Sequence, residues 1–454
     1  MHSSQISAAL SEASLLKKII NNIKVQPIRV GDWTEEDFRS LGMMSAKIGP
    51  AGIIGIRVEA SEAVNGMAEK IFTDTVYQRG LTFSALRNQL IEVIIQEYND
   101  SSSKVIDDDD VQNVRAKIAI WFDEQKGDYE FYIPCLISPS YASSFSVGPI
   151  EFVHIEDFAN FCKSQPKSEF ELGYTPFLYE MARRAATWIA KVSVQGCSRE
   201  RAQEMANLAV DVAIGGLQLF LVEEECQKIA RLTGRTMPVF SHTLSRKDGN
   251  LSAALVYSEP GRLFGPGCLD QRIISAKAVL NSVGARVLAY VQGDHILTSL
   301  EQAWSDATYW FHEGLAEPLD TIAVPKLETA IEVLLRAEKT SGSKRRVLTA
   351  IEAFYGKTAQ ESINPHSEIT VEKFAQGFVG DRSQILHGTL STLNHSLWIS
   401  RSGLTDVVRD FLIYYSLFLD RYLESPSPSD DKEKFLAFVI SEQKRSIPQN
   451  SCAS

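Results

Sequence analysis

The spacing of apolar residues changes along this chain, and the change limits the folds that the chain can adopt. Residues 129–137 and 149–155 alternate apolar and polar side chains, which is the period of a half-buried strand. From Thr175 onward the apolar residues recur mainly at helical spacing, most clearly over 404–424. The sequence therefore predicts an α+β protein that is mostly α, with its strands concentrated toward the N-terminus.

The same patterns divide the 454 residues into four regions, in keeping with the roughly two to four domains expected at this length. We predict a β-containing N-terminal domain, a helical middle region with a small β-insertion, a C-terminal bundle of four to five helices, and a tail. Their bounds are 1–165, 166–299, 300–424 and 425–454, with one last short helix inside the tail.

Local patterns add finer predictions. Residues 116–122 resemble a further strand, whereas 181–194 and 201–232 resemble two long helices. Glycines at 49, 52 and 55 predict a turn into a strand, since the segment lacks the spacing of a phosphate loop or a dinucleotide turn. The run Asp107–Asp110 predicts a solvated loop, because it lacks the glycine bend of a calcium loop.

Composition narrows the functional classes. Acidic residues outnumber basic ones by 57 to 46, giving a net charge of −11. This charge argues against a nucleic-acid binder that uses its whole surface, and it leaves a local basic site open.

No apolar run reaches the ~20 residues of a membrane span, and the N-terminus lacks a signal pattern, so we predict a cytoplasmic protein without a membrane partner. The six cysteines are scattered without a CxxC pair, and HExxH and GxSxG are absent. We therefore expect reduced thiols, no metal and no cofactor.

The segment 374–396 carries the residues best suited to catalysis. Arg382 and His387 are separated by four residues, and Gly388 follows. Histidine moves protons near neutral pH, while arginine presents several donors to phosphate oxygens and stays charged. Such a pair can cleave RNA without a metal, because the ribose 2′-hydroxyl supplies the nucleophile.

Helical geometry sets a condition on this pair. Arg382 falls within an apolar stripe, where a permanent charge is costly unless it is paired or lines a site, and His387 falls nearly opposite. The two side chains can meet if the helix ends or bends near Gly388, or if two copies of the motif meet across a dimer interface. The stripe consists of Val371, Phe374, Phe378 and Ile385.

The segment Asp381–Gly388 resembles the RSxxxHG signature of the HEPN superfamily (higher eukaryotes and prokaryotes nucleotide-binding domains), and its ApeA-like branch most closely, with Ser383 in the polar position. The resemblance implies a helical bundle that acts as a metal-independent endoribonuclease, with two domains forming one site. It implies that Arg382 stabilises the phosphate, that His387 is the acid and base, and that Ser383 supports them. Asp381, the neighbour of Arg382 in the sequence, is a candidate to pair with its guanidinium group and hold it in place.

The resemblance also implies partners. RNA is the expected substrate, with tRNA among the candidates, and a homodimer forms through the bundle. Many members act in bacterial anti-phage defence or as toxins, so a phage-derived or host regulatory trigger is expected. The N-terminal region would then be a sensor, a regulator or a partner-docking module. Lys344, Arg345 and Arg346 are candidate RNA contacts, or else a solvated helix start. The alternative is a catalytically silent HEPN module for dimerisation or nucleotide binding. A small-molecule enzyme with its site in the N-terminal β-region is a third hypothesis, which no motif supports.

Overall fold

The computed structural model describes most of the chain, and the described part is α+β and mostly α, as predicted. It divides into two compact units, Met1–Tyr129 with Val194–Glu204, and Glu130–Ser193 with Met205–Ser454. Within the described ranges, every helix is too short or too polar to cross a membrane. The described residues are 10–26, 43–49, 52–98, 105–233, 240–247, 250–257, 259–336, 340–363, 369–386, 389, 391 and 400–446.

The first unit packs helices against a small antiparallel sheet. In chain order its elements are α1 (Glu12–Ile20), β1 (Ile23–Gln26), β2 (Met43–Gly49), β3 (Gly52–Arg57), α2 (Ser61–Phe72), α3 (Thr75–Gly80), α4 (Phe83–Tyr98) and α5 (Asp108–Gln125). β3 pairs with both β1 and β2. Gly49 lies opposite Gly52 in the β2–β3 pair, so the strand predicted after the glycines is present, while residues 50 and 51 lie outside the described residues. Apolar side chains from α1, α2, α4 and α5 form the core.

The start of α5 corrects the prediction of a solvated loop at Asp107–Asp110. The Asp107 side chain accepts hydrogen bonds from the N–H groups of Asp109 and Asp110, at 3.1 and 3.2 Å. The Asp110 carboxylate in turn accepts from the Asp107 N–H at 3.3 Å and from the buried Tyr98 hydroxyl at 3.1 Å. The aspartates begin a helix because their oxygens satisfy the free N–H groups of its first turn, and their charge suits its positive end.

The predicted strand at 116–122 is also wrong, since these residues continue α5. The buried residues Val111, Val114, Ile118 and Phe122 recur three and four positions apart, while Ile120 is exposed. This helical period extends beyond the short alternation inside 116–122, and it determines which face is buried.

The middle of the chain forms a five-stranded sheet in the order β5–β6–β7–β4–β8, and a separate hairpin of β9 and β10. The strands predicted at 129–137 and 149–155 are present as β4 and β6. In chain order the elements are β4 (Gly127–Leu136), β5 (Phe145–Val147), β6 (Ile150–His154), α6 (Ile155–Lys163), α7 (Lys167–Glu169), α8 (Thr175–Arg183), β7 (Trp188–Cys197), α9 (Arg199–Gln218), β8 (Ala230–Arg231), β9 (Phe240–Lys247) and β10 (Asn250–Tyr257).

Both long helices predicted in this part end early. α8 ends at Arg183, Ala185 takes a left-handed conformation at φ 55°, and 188–197 is a strand whose burial largely alternates. α9 ends at Gln218, whose buried amide donates to the carbonyls of Cys226, Gln227 and Ile229. These bonds fold the following segment back as a short 3₁₀ turn, so the glutamates at 223–225 do not continue a helix.

The C-terminal part is helical, and five helices lie in the described residues of 300–424. Its elements are α10 (Cys268–Ser275), α11 (Lys277–Gln292), α12 (Thr298–Ala316), α13 (Asp320–Leu334), α14 (Thr340–Tyr355), α15 (Val371–Leu386), α16 (Arg401–Leu423) and α17 (Lys432–Ser446). Trp304 is fully buried and donates its indole N–H to the Leu412 carbonyl at 2.9 Å. The last helix joins this core through Phe435, whose ring centroid lies 4.7 Å from that of Tyr415. That the bundle is of the HEPN type stays a prediction.

Two glycines allow the β5–β6 turn to touch α11. Gly148 has φ +59°, and a Cβ atom built there would overlap the carbonyl oxygen of Gly284. A Cβ atom on Gly284 would overlap the backbone nitrogen of Gly148. Because each position lies against the backbone of the other, neither can hold even a methyl group without moving the turn or the helix.

Candidate functional site

The motif predicted to cleave RNA lies at the C-terminal end of α15. This helix buries Val371, Phe374 and Ala375 in its first two turns. The backbone of 381–383 is helical, which places Arg382 four residues before the end of the helix. The side chains of Asp381, Arg382 and Ser383 lie outside the described residues, as does the whole of His387.

The end of the helix is fixed by Thr389. Its N–H and its hydroxyl both donate to the Gln384 carbonyl, each at 2.9 Å. A bond from an N–H to the carbonyl five residues earlier is one of the two bonds of the Schellman motif, which closes helix C-termini. α15 is described as far as Leu386, and the bonds from Thr389 close back onto its last turn. The predicted end or bend at Gly388 itself lies outside the described residues.

The predicted basic cluster lies on α14, which packs beside α15. The Lys344 ammonium pairs with the Glu372 carboxylate of α15 at 3.0 Å. Arg346 donates to the Arg336 carbonyl at 2.9 Å, while Arg345 is exposed. Two of the three side chains thus bind neighbouring groups of the protein, and Arg345 is the most accessible to RNA.

A cleft of about 900 Å³ lies in the second unit, where three helix ends meet. The ends are the C-terminus of α12 and the N-termini of α13 and α16. Sequence reasoning missed this cleft. Its lining includes Leu315, Asp320, Arg401, Ser402, Thr405 and Arg409.

Two arginines are fixed in the wall of this cleft. Arg401 donates to the carbonyls of Gly314 and Leu315, at 3.3 and 2.8 Å, and pairs with Asp320 at 3.3 Å. Arg409 pairs with Asp406 at 2.6 Å, and its side chain is only 9% exposed. In each arginine the Nε atom is buried without a hydrogen-bond partner. The contacts hold both guanidinium groups in place.

The start of α16 borders the same cleft. Ser400 is the N-cap residue, and its hydroxyl accepts from the Gly403 N–H at 3.3 Å. The first turn of α16 contains no acidic residue. The positive end of a 23-residue helix therefore meets the cleft without a negative charge from its own first turn.

Buried polar contacts hold the opposite wall, which contains Gln227 and Lys228. The Nδ1 atom of His312 lies 2.9 Å from the Gln218 amide oxygen, and the amide nitrogen of the same Gln218 binds the turn at 226–229. Burial lowers the pKa of His312, so the ring stays neutral where it meets the amide. The wall is thus positioned by a neutral network anchored on α9 and α12.

One signal in the sequence could have indicated the cleft. Arg401, Thr405 and Arg409 recur every four residues, so they share one face of α16. The chemistry of that face is donor-rich, and in the described ranges no group of three or more His, Cys, Asp or Glu side chains is placed to hold a metal ion.

Comparison of the chain with protein-family models, with curated proteins and with solved structures finds no match.

Proposed function

We propose that this protein is a metal-independent endoribonuclease in which Arg382 holds the scissile phosphate and His387 moves protons. The observation that carries the proposal is the position of Arg382 near the end of the described part of α15, five residues before His387 in the sequence. Histidine ordinarily titrates near neutral pH, so its imidazole can take a proton as a base or give one as an acid.

The proposed reaction needs only the two side chains and the RNA. The ribose 2′-oxygen attacks the adjacent phosphorus, and the bond from phosphorus to the 5′-oxygen breaks. A neutral imidazole takes the 2′-hydroxyl proton, and an imidazolium gives a proton to the leaving 5′-oxygen, so the products are a 2′,3′-cyclic phosphate and a 5′-hydroxyl. Arg382 offsets the negative charge that grows on the phosphate oxygens.

The second proton transfer explains the expected dimer. One histidine cannot be neutral and protonated in the same step, whereas two copies of the motif can supply one base and one acid. Ser383 and Asp381 would orient the arginine, and the exposed Arg345 on the neighbouring α14 would contact the RNA backbone. We propose that a homodimer forms through the C-terminal helices.

The test is RNA cleavage in EDTA by the wild-type protein, with tRNA among the substrates and the product ends identified. We expect cyclic phosphate ends, and a loss of about 100-fold or more in His387→Ala and in Arg382→Ala. Lys373→Ala is the matched control, since it removes an exposed cation from the same helix. Cleavage that survives in His387→Ala would refute the assignment.

A second measurement separates the proposal from its alternative. If the protein is an effector of anti-phage defence or a toxin, expression of the wild type during phage challenge slows growth, and expression of His387→Ala does not. A dimer that cleaves no RNA and causes no toxicity would instead indicate a silent module for dimerisation or nucleotide binding.

A further inference from the structure

The hairpin of β9 and β10 is exposed to solvent on both of its faces. The two strands form a sheet of their own, and neither packs closely against another described element. The described side chains, those of 243–247 and 250–255, are all exposed. A two-stranded hairpin is marginally stable at best in water, and it needs further strands or a packed helix. The exposed hairpin therefore indicates a partner that adds to it.

One face of this hairpin is apolar. Because Leu251 lies opposite Arg246 and Ala253 lies opposite Leu244, these residues share a face with Leu255. The exposed fractions of Leu244, Leu251 and Leu255 are 64%, 63% and 48%. The opposite face carries mostly small and polar side chains, and its described residues are Thr243, Ser245, Lys247, Asn250, Ser252 and Ala254. Leucines exposed together on one face are typical of an interaction surface.

The outer edge of β10 is suited to pairing with another strand. Among the described strands β9 is its only neighbour, so its other edge presents backbone N–H and C=O groups. Its eight residues include no charged residue and no proline, and its pairing with β9 runs without a bulge. Charges, prolines and bulges are the features that keep a native edge from pairing with another chain. β9 differs, since it contains Arg246 and Lys247.

The residue order in β10 is nearly the same when it is read in either direction from Ala253. Leu251 and Leu255 lie two positions away on either side, and the small residues Ser252 and Ala254 lie between. If two antiparallel copies are centred on Ala253, Leu251 in one copy lies opposite Leu255 in the other. A two-fold interface requires such self-complementarity, because the same residues serve on both sides. The order therefore favours a second copy of β10 over an unrelated strand.

The charges of the hairpin are compatible with this arrangement. Arg246 and Lys247 lie on β9, beside the turn that joins the two strands. When two copies of β10 pair antiparallel, their turns point in opposite directions and β9 becomes the outer strand on each side. The two Arg246 residues are then roughly 20 Å apart, given strands about 4.8 Å apart and a rise of about 3.4 Å per residue. Repulsion over that distance is screened, because the Debye length is about 8 Å at physiological ionic strength.

We propose that β10 pairs edge to edge with β10 of a second copy of this chain, antiparallel and centred on Ala253. The result is a four-stranded sheet in the order β9–β10–β10–β9. Backbone hydrogen bonds join the two copies, and pairs of Leu251 with Leu255 flank the central pair of Ala253 residues. The added strands supply the pairing that a lone hairpin lacks. The pairing is independent of RNA cleavage and of any contact through the C-terminal helices.

The test is disulfide cross-linking of the full-length protein under mild oxidation. Opposite residues of an antiparallel pair have Cα atoms about 4.5–5.5 Å apart, which a disulfide can span. Ala253→Cys should therefore give at least about tenfold more covalent dimer than Ala254→Cys, whose thiols lie diagonally across the interface and beyond disulfide reach. The wild type measures the background from the six native cysteines.

A pair of variants determines the register. Ser252→Cys and Ala254→Cys should each cross-link poorly alone, and at least about tenfold more when the two are co-expressed, because 252 in one copy lies opposite 254 in the other. Both residues lie on the polar face. This result therefore also separates edge pairing from two hairpins packed through their leucines.

A charge at the centre of the interface should slow the cross-linking. In the co-expressed pair, Ala253→Lys places two lysines directly opposite each other, and we expect about three- to fivefold slower cross-linking. Thr243→Lys is the matched control, since it adds the same charge at an exposed position of β9, away from the paired edge. We expect it to leave the rate unchanged.

Three results would overturn the proposal. They are a yield of covalent dimer from Ala253→Cys no greater than from the wild type, a co-expressed pair that cross-links no better than either variant alone, and equal slowing by Ala253→Lys and Thr243→Lys. Binding of the protein to anionic vesicles without any cross-link would assign the leucines to a membrane surface instead. None of these measurements uses RNA, so the failure of this proposal and the failure of RNA cleavage are distinguishable.

Discussion

The starts of α5 and α16 satisfy the same requirement in opposite ways. Each helix has N–H groups in its first turn without partners inside the helix. At α5 the chain's own acidic side chains meet this requirement. Asp107 accepts from two N–H groups, and residues 108–110 add three carboxylates to the first turn. At α16, Ser400 accepts from one N–H, and Arg401 stands where α5 has an acid. The two helix starts thus differ in the number of N–H groups that their own side chains satisfy and in the sign of the charge in the first turn.

The largest effect on this comparison is expected from Asp107→Ala. The change removes the acceptor of two N–H groups and breaks the capping box of α5. We expect the free energy of unfolding to fall by about 2 kcal/mol, at the upper end for a helix cap. Urea unfolding at neutral pH measures it. Asp108→Ala is the control, with an expected loss of about 0.5 kcal/mol, since it removes only an exposed first-turn charge. Equal losses in the two variants would refute the capping role.

Tyr98→Phe tests how much the hydrogen bond from Tyr98 to Asp110 stabilises the start of α5. The variant removes the hydroxyl that donates to Asp110, and we expect a loss of about 1 kcal/mol. Burial, and then the hydrogen bond and charge of Asp110, raise the pKa of Tyr98 to about 12 from its ordinary 10. Between these values the unfolded chain releases this proton and the folded protein retains it, so stability falls as pH rises from 10 toward 12. Urea unfolding in alkaline buffers should show a shallower fall in Tyr98→Phe, and an unchanged fall would contradict the assignment.

The smallest effect on the free energy of unfolding is expected at the start of α16. Ser400→Ala removes a single capping bond of 3.3 Å, and we expect a loss of at most about 1 kcal/mol. Ser400→Asp restores an acceptor and gives α16 the acidic cap that α5 has. Thermal unfolding should therefore show that Ser400→Asp is as stable as the wild type. If the comparison is correct, Ser400→Asp is more stable than Ser400→Ala, and equal stability of the two variants would contradict it.

The sequence predicted helices and strands correctly where apolar residues kept one spacing over many residues. α16 was recognised from its long apolar stripe, and β4 and β6 from their alternation. Predictions failed where a short window suggested the wrong period, as in 116–122 and 181–194, because the full burial pattern extends beyond the window. Asp107 and Asp110 were predicted to lie in a solvated loop, although aspartate is also a common residue at helix starts.

The two candidate sites differ in how far a sequence can indicate them. The Arg382 and His387 pair lies within one short motif, so it was predicted directly, and its chemistry stays a prediction. The cleft was not predicted, because its donors become a site only through contacts between distant segments. Arg401 binds the Leu315 carbonyl across 86 positions of the chain, and no local pattern contains that contact.

The contact between Gly148 and Gly284 has a consequence for the ancestry of this protein. Most surface positions of a helix or a loop can change in evolution without altering the backbone, but these two positions cannot accept a side chain while the turn and α11 stay in place. A distant homologue that keeps this arrangement should therefore have glycine at both places. The pair offers a marker for recognising such homologues after the rest of the sequence has diverged.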